Sequence, residues 1–380
     1  MTPAARISAA IQVLDQILAG QPAEQALLRW ARSSRFAGSG DRAAVRDLVF
    51  DALRRRDSQA ALGGSLTGRG LMIGGLRAAG QDPAEYFNGQ GHAPAPLGTD
   101  DQPGPVQDFT DLPAWVRPLW DASLGDRAQA VAERMRQRAP VWLRVNPAKA
   151  DAAQAIRALA QDGITAEPDA RLPTALRVTA NERRLSQGAA YRDGLVELQD
   201  LSPQLACAAL PVVAGMRVLD YCAGGGGKVL AIAGRAAGLT LVAHDADPAR
   251  MRDLPQRAER AGARVQVAVT PKGAFDLVIA DVPCSGSGTW RRTPDSKWRL
   301  TPQNLRDLVA LQARILQQAA SFVRPGGHLA YMTCSVLDDE NGAQVDRFLV
   351  QNQDFGQVAR RSWTPLDASD GFFLSLMARG

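Results

Sequence analysis

Histidine and cysteine are scarce in this chain, with three His and four Cys in 380 residues. The cysteines, Cys207, Cys222, Cys284 and Cys334, show no CxxC spacing. Neither a structural zinc site nor a disulfide framework is therefore expected, and no metal; each cysteine is read as a separate thiol. Long apolar runs are also missing. No stretch of eighteen or more apolar residues occurs, which excludes a membrane-spanning helix. The N-terminal segment has apolar residues at helical spacing, but Asp15 lies among them and it lacks the uninterrupted core of a signal peptide. The cytoplasm is the expected location. Lysine is nearly absent (Lys149, Lys228, Lys272 and Lys297), so arginine carries almost all of the positive charge behind a net +5. Guanidinium groups suit bidentate pairing with phosphates, and the bias is compatible with a nucleic-acid partner without requiring one.

Three regions emerge along the chain. Residues 1–87 are helical: IQVLDQIL, ALLRWARSS and AAVRDLVFDALRRR each carry the helical period, and Gly38-Ser39-Gly40-Asp41 breaks the chain and caps the third. Residues 88–110, rich in Gly, Pro and Asp without periodicity, have the composition of a linker. Residues 111–200 hold connecting helices and a small α+β unit, with VWLRVN, ALRVTA and GLVELQD as strands and 150–161 as a helix. From 201 to 380, strand-like runs (MRVLDYC, LTLVAHD, FDLVIADVP, GGHLAYMTCS) alternate with helical segments and end in polar or Gly-rich stretches. That alternation predicts an α/β, mostly parallel, doubly wound sheet with its ligand beyond the C-terminal strand ends.

The first of these runs leads into Cys222, Ala223, Gly224, Gly225, Gly226, Gly227 and Lys228, with a helix expected over 229–237. Successive glycines allow a tight turn and close approach to a ligand, and a helix N-terminus offers free N–H groups to a phosphate or carboxylate. A flexible turn with no ligand is the plainer reading. Asp245, at the end of the second run, is either an acceptor for ribose hydroxyls or the cap of a helix over 248–261, a role for which Asp247 competes. Together the two features indicate a nucleoside cofactor without saying which. Cys284 and Cys334 sit at the ends of the last two runs, in Asp281-Val282-Pro283-Cys284-Ser285 and Thr333-Cys334-Ser335. A buried cysteine is usually a small apolar residue; a pair on successive strand ends beside a Gly-rich loop favours chemistry.

These stretches resemble the Sun/Fmu (RsmB-like, NOL/NOP/Sun) family of RNA cytosine-5 methyltransferases. The resemblance is carried by Gln199-Asp200-Leu201-Ser202, CAGGGGK (222–228), DVPCSGSGTWRRTPDSKW (281–298), TCSVLDDEN (333–341) and DGFF (370–373), in family order. It implies a Rossmann-like class I methyltransferase domain, preceded by an α+β RNA-binding unit and a NusB-like helical domain. It implies S-adenosyl-L-methionine along 222–228 and against Asp245 and Asp281, with Lys228 near the reacting groups. Cys334 would be the nucleophile and Cys284 would assist product release. The chemistry accounts for such a set. Carbon 5 of cytosine is a poor nucleophile until a thiolate adds at carbon 6, and a carboxyl, here Asp281, can steady the adduct near ring nitrogen 3. A base must then remove the carbon 5 proton so that the thiolate can leave.

The chain departs from the family at two places. Gly224 and Gly225 stand where the family has Ala and Pro, and RVQVAVTPKGA (264–274) is short and lacks the Asp that commonly holds the adenine amino group. Asp276 lies just beyond, at the wrong end of the next strand. Arg291, Arg292, Lys297 and Trp298 are expected on a loop over the site, suited to a phosphate backbone and an unstacked base; an exposed basic loop with Trp298 packed inward is the alternative. The expected partner is ribosomal RNA, with transfer RNA the alternative, and the expected state is a monomer. Two rivals stay open: a DNA-type enzyme in which Cys284 attacks, and an RNA-binding assembly factor with a decayed cofactor site.

Overall fold

The computed structural model describes residues 1–104 and 109–380. Part of the 88–110 linker expectation thus falls outside the described residues. The described chain gathers into two compact units, one of Met1–Asp121, Gly125–Arg138 and Trp290–Thr301, the other of Ala122–Leu124, Ala139–Thr289 and Pro302–Gly380.

The first unit is helical: α1 (Pro3–Leu18), α2 (Ala23–Ser33), α3 (Ser39–Arg54), α4 (Arg56–Gly63) and α5 (Gly68–Ala78). It is consistent with the NusB-like expectation. Gly38 caps α3, where the Asp41 side chain returns to the Gly38 N–H. Val13, Leu14, Val45, Val49, Leu53, Leu71 and Ile73 supply a fully buried core. The sequence gives little sign of α5, GRGLMIGGLRA. Its glycines are there for packing: a Cβ on Gly74 would strike the Gln59 carbonyl, so α4 and α5 approach backbone to backbone. Residues 88–104 are not a free linker. Arg69 donates to the Ala95 and Pro96 carbonyls and pairs with Asp101, and Arg77 donates to the Leu62 and Asp101 carbonyls. Four of these bonds, with a further one from Arg69 Nε to Asp101 at 3.0 Å, hold residues 88–104 in place of the hydrophobic pattern that sequence reading looks for.

The second unit carries two sheets. The smaller has strands β1 (Val141–Val145), β2 (Thr165–Pro168), β3 (Ala175–Ala180) and β4 (Val196–Leu198), antiparallel in the order β2-β3-β1-β4. Asp151 caps the helix Ala152–Gln161 that packs with it. The larger sheet contains β5 (Arg217–Asp220), β6 (Thr240–Ala243), β7 (Val265–Val267), β8 (Phe275–Asp281), β9 (Val323–Thr333), β10 (Phe355–Trp363) and β11 (Phe372–Arg379), in the order β10-β11-β9-β8-β5-β6-β7. Strands β9, β8, β5, β6 and β7 are parallel, and β11 and β10 close the sheet antiparallel. This is the expected Rossmann-like α/β domain. In β8, Leu277, Val278, Ile279 and Ala280 are all fully buried, as a central parallel strand covered on both faces requires.

The chain runs outward from β5 to β6 and β7, then returns to β8 and β9 on the other side. That reversal opens a crevice at the C-terminal ends of β5 and β8. Register aligns Asp220 with Ala243 and Ile279, and Asp281 with Met332. The segments after Asp220, Ala243, Asp281 and Thr333 therefore leave the sheet along one edge. Asp276 sits at the opposite end of β8, as read from sequence, accepting the Arg217 N–H at 2.7 Å and pairing with Arg324.

Candidate active site

The glycine-rich turn is built on Asp220, the last residue of β5. The Asp220 carboxylate accepts the Val229 N–H at 3.1 Å, which ties the strand end to the following helix. That helix runs Gly227–Ala233, shorter than the expected 229–237. Gly224 and Gly226 adopt φ of +49° and +82°, and a Cβ on Gly226 would also collide with Leu254. Gly225, where the family has Pro, leaves room that Arg257 fills: its guanidinium would lie 2.6 Å from a Cβ there and donates to the Gly225 carbonyl. Beneath the turn, Gln199 and buried Arg144 both donate to the Gly227 carbonyl, at 3.1 and 3.0 Å. Burial pulls Arg144 down to about 10.

Asp245 and Asp247 divide the roles left open by sequence. Asp247 caps the next turn through the Ala249 N–H, whereas buried Asp245 reaches back to the Gly224 N–H at 2.9 Å and pairs with Arg250. Burial, reinforced by the charges of Asp220, Asp281 and Asp245, pushes the Cys222 thiol far up. Burial also raises Asp220 to about 7, and its Oδ1 is buried with no hydrogen-bond partner among the described residues. An orphaned carboxylate oxygen, two further acids and a glycine turn form a donor set that fits a cationic nucleoside.

Lys228 pairs directly with Asp281 at the end of β8, and its ammonium lies 5.5 Å from the centre of the Phe372 ring. Asp281 holds Lys228 well above the ordinary lysine range despite burial. Two residues before Phe372, Asp370 is tied to the QDLS segment: Asp200 accepts its N–H and Ser202 Oγ donates to its carbonyl.

Two loops leave adjacent strands β8 and β9 and bring Cys284 and Cys334 together, Sγ to Sγ 3.3 Å. The hydrogen bond with Cys334, burial and the negative charges of Cys334 and Glu340 all push the Cys284 thiol up. These effects favour the thiol form of Cys284. Glu340, within the TCSVLDDEN stretch, is fully buried. Its carboxylate accepts from Ser285 N–H at 2.8 Å, Ser285 Oγ at 2.5 Å, Ser335 Oγ at 2.6 Å and Gln312 Nε2 at 2.9 Å. Asn341 continues the network, accepting from Thr333 Oγ1 and donating to the Ser335 carbonyl.

Residues 207–376 match the family model described as 16S rRNA methyltransferase RsmB/F, and residues 112–183 match the RsmF/B-like ferredoxin-like domain. A curated relative, the ribosomal RNA small subunit methyltransferase B of Xanthomonas campestris pv. campestris, is 35% identical over 297 residues, covering 72% of this chain and 68% of the relative. The chain belongs to the RsmB/F family of rRNA methyltransferases. Its fold agrees with the crystal structure of PH0851, at TM-score 0.78 and 22% identity over 99% of both chains. A methyltransferase homolog protein from Pyrococcus horikoshii gives TM-score 0.60 and 22% identity over 69% of this chain and 94% of that one.

The expected basic loop of this RsmB/F chain takes a different form. Residues Pro294–Arg299 make a short helix inside the helical unit, with Trp290 stacked on Trp120 at a centroid distance of 5.9 Å. Lys297 is 2% exposed and donates to the Arg54 and Asp111 carbonyls; burial pulls it down to about 7. The Trp298 indole N–H donates to the Leu53 carbonyl at 2.7 Å, and Arg56 stacks on its ring. Arg291 is 3% exposed and Arg292 half-buried. Lys297, Trp298 and Arg291 are therefore structural members of the helical unit, not an open RNA-facing loop. A basic-aromatic string reads alike in both settings, which is why sequence did not separate them.

Proposed function

We propose that this chain methylates carbon 5 of a cytosine in small-subunit ribosomal RNA, using S-adenosylmethionine and a transient bond from Cys334 to the base. The observation that carries this is the cysteine pair: two sulfurs 3.3 Å apart on adjacent strand ends, one of them favoured as a thiol. The ribosomal substrate follows the names of the relatives.

Residues 222–228 would hold the cofactor, with Asp220, Asp245 and Asp281 facing its positive charge. When bound, it supplies an electrophilic methyl group to carbon 5. Cys334, as thiolate, adds to carbon 6 of the ring, the displaced electron pair moves toward nitrogen 3, and nitrogen 3 takes a proton from solvent that it gives back when the thiolate leaves. The Asp281 carboxylate, oriented by Lys228, accepts the N–H so formed. After transfer, loss of the carbon 5 proton to a base returns that C–H electron pair to the ring and expels the Cys334 thiolate. Cys284 S–H, donating to that sulfur, stabilises the departing thiolate. Without it the covalent adduct should outlive the turnover.

Denaturing gels of full-length protein incubated with small-subunit rRNA and S-adenosylmethionine test this reading. Cys284→Ala should accumulate a covalent protein–RNA band and Cys334→Ala should give none. The reverse pattern would make Cys284 the nucleophile, as in the DNA-type reading, and overturn the assignment.

A further inference from the structure

We infer that Glu340 is a positioning residue that sets which of the two cysteines attacks, by clamping the loops after β8 and β9 against each other and adding a fixed negative charge on the Cys284 side. The inference rests on the Cys334 reading above. The geometry is specific. Ser285 directly follows Cys284, Ser335 directly follows Cys334, and one buried carboxylate accepts hydrogen bonds from both hydroxyls and from the Ser285 N–H. Its fourth donor, Gln312, also donates to the Pro283 carbonyl at 2.9 Å, so the residue before Cys284 is held from the same point.

All four partners approach Glu340 as donors, which only the carboxylate form accepts in full. Among the described residues Glu340 makes no ion pair, so its charge is balanced by neutral dipoles and is felt at the neighbouring sulfur. The Tyr331 hydroxyl donates to the Glu340 carbonyl at 2.7 Å and fixes the residue's own backbone. A carboxylate required only for packing would not need to touch both cysteine loops. A neutral side chain with the same bonds would not tell one thiol from the other.

Glu340→Gln keeps the volume and lets the serine hydroxyls rotate to suit an amide, but removes the charge. In the full-length protein, competition by iodoacetamide with peptide mass spectrometry reads the alkylation rates of Cys334 and Cys284 separately. Wild type should favour Cys334 by about tenfold or more, and Glu340→Gln should bring the ratio to within about threefold, since one pH unit of thiol acidity is a tenfold change in thiolate. Turnover number should fall by about tenfold or more while the KM for RNA stays within about twofold. A lower melting temperature with an unchanged alkylation ratio would assign Glu340 a merely structural role and overturn the inference. If Glu340→Gln does not fold, the Ser285→Ala/Ser335→Ala double variant carries the test, because it cuts both hydroxyl ties and retains the Ser285 N–H bond; its ratio should fall by about threefold, and a wild-type ratio would overturn the inference. Failure of the parent reading looks different: Cys334→Ala would retain turnover, whatever Glu340→Gln does.

Discussion

Asp220→Asn separates stability from function at the glycine-rich turn. Asp220 is buried at the end of β5, has one carboxylate oxygen without a hydrogen-bond partner among the described residues, and is raised from a carboxyl's ordinary 3.8 to about 7. The folded state therefore prefers the neutral acid, more than the unfolded chain does. The resulting cost is absent below pH 4, grows as pH rises from 4 to 7, and is constant above. At ~1.4 kcal/mol per pH unit, carrying the charge destabilises the fold by on the order of 4 kcal/mol at pH 8. Asparagine keeps the acceptor for the Val229 N–H and has no charge, but leaves a buried N–H pair without a partner, at about 1–3 kcal/mol. The variant should thus be more stable than wild type at pH 8 by about 1–3 kcal/mol, and its advantage should shrink by about 3 kcal/mol at pH 5. Urea unfolding at the two pH values measures both. Calorimetry should show S-adenosylmethionine binding weakened at least about tenfold, because the orphaned oxygen is the one available to a cationic ligand. A stability difference that does not change with pH would refute the reasoning, and unaltered cofactor affinity would remove Asp220 from the cofactor site.

Other outcomes follow from the same structure. Gly226→Ala should destabilise by roughly 1–3 kcal/mol and impair cofactor binding, whereas Gly227→Ala, whose Cβ meets nothing closer than 3.8 Å, should be near neutral in thermal melts. Burial holds Lys297 at about 7, so its protonation costs the fold fully below pH 7 and less as pH climbs toward 10.5. The stability of Lys297→Met relative to wild type should therefore improve by up to about 3 kcal/mol between pH 9 and pH 6. Where both proteins are folded, their RNA binding should show the same salt dependence; a slope reduced by about one phosphate contact would return Lys297 to the RNA interface. Lys228→Met leaves Asp281 without its cation and should cut turnover by about a hundredfold, measured as methyl transfer to RNA at saturating cofactor.

The sequence was most readable where one physical cause dominates. Apolar runs announced β5, β6, β8 and β9, because strands buried on both faces have no alternative composition. The edge strand β10, FGQVARRSW, has mostly exposed residues and a register shift between Gln357 and Ala359, so it carries no such pattern. Short β7 lacks the pattern for a similar reason, and α5, although inside the region expected to be helical, is too rich in glycine to carry a helical period of its own. At the site, the cysteines and the glycine turn were legible from their positions at strand ends. Glu340 and Asp220 were not, although both were in plain sight within motifs. What distinguishes them is burial and partner geometry, and an acid next to other acids (DDE at 338–340) reads as a solvated surface. Lys297 and Trp298 failed in the opposite direction, since their charge and ring suggested solvent and RNA while tertiary packing took them into the helical unit.

Peptide mass spectrometry of the trapped complex addresses the mechanism most directly. Cys284→Ala protein would be incubated with small-subunit rRNA and S-adenosylmethionine, denatured, and digested with nuclease and protease. The account predicts a methylated cytidine nucleotide attached to the peptide that contains Cys334. A nucleotide on any other residue, or none on Cys334 under conditions where wild type forms 5-methylcytosine, would contradict it.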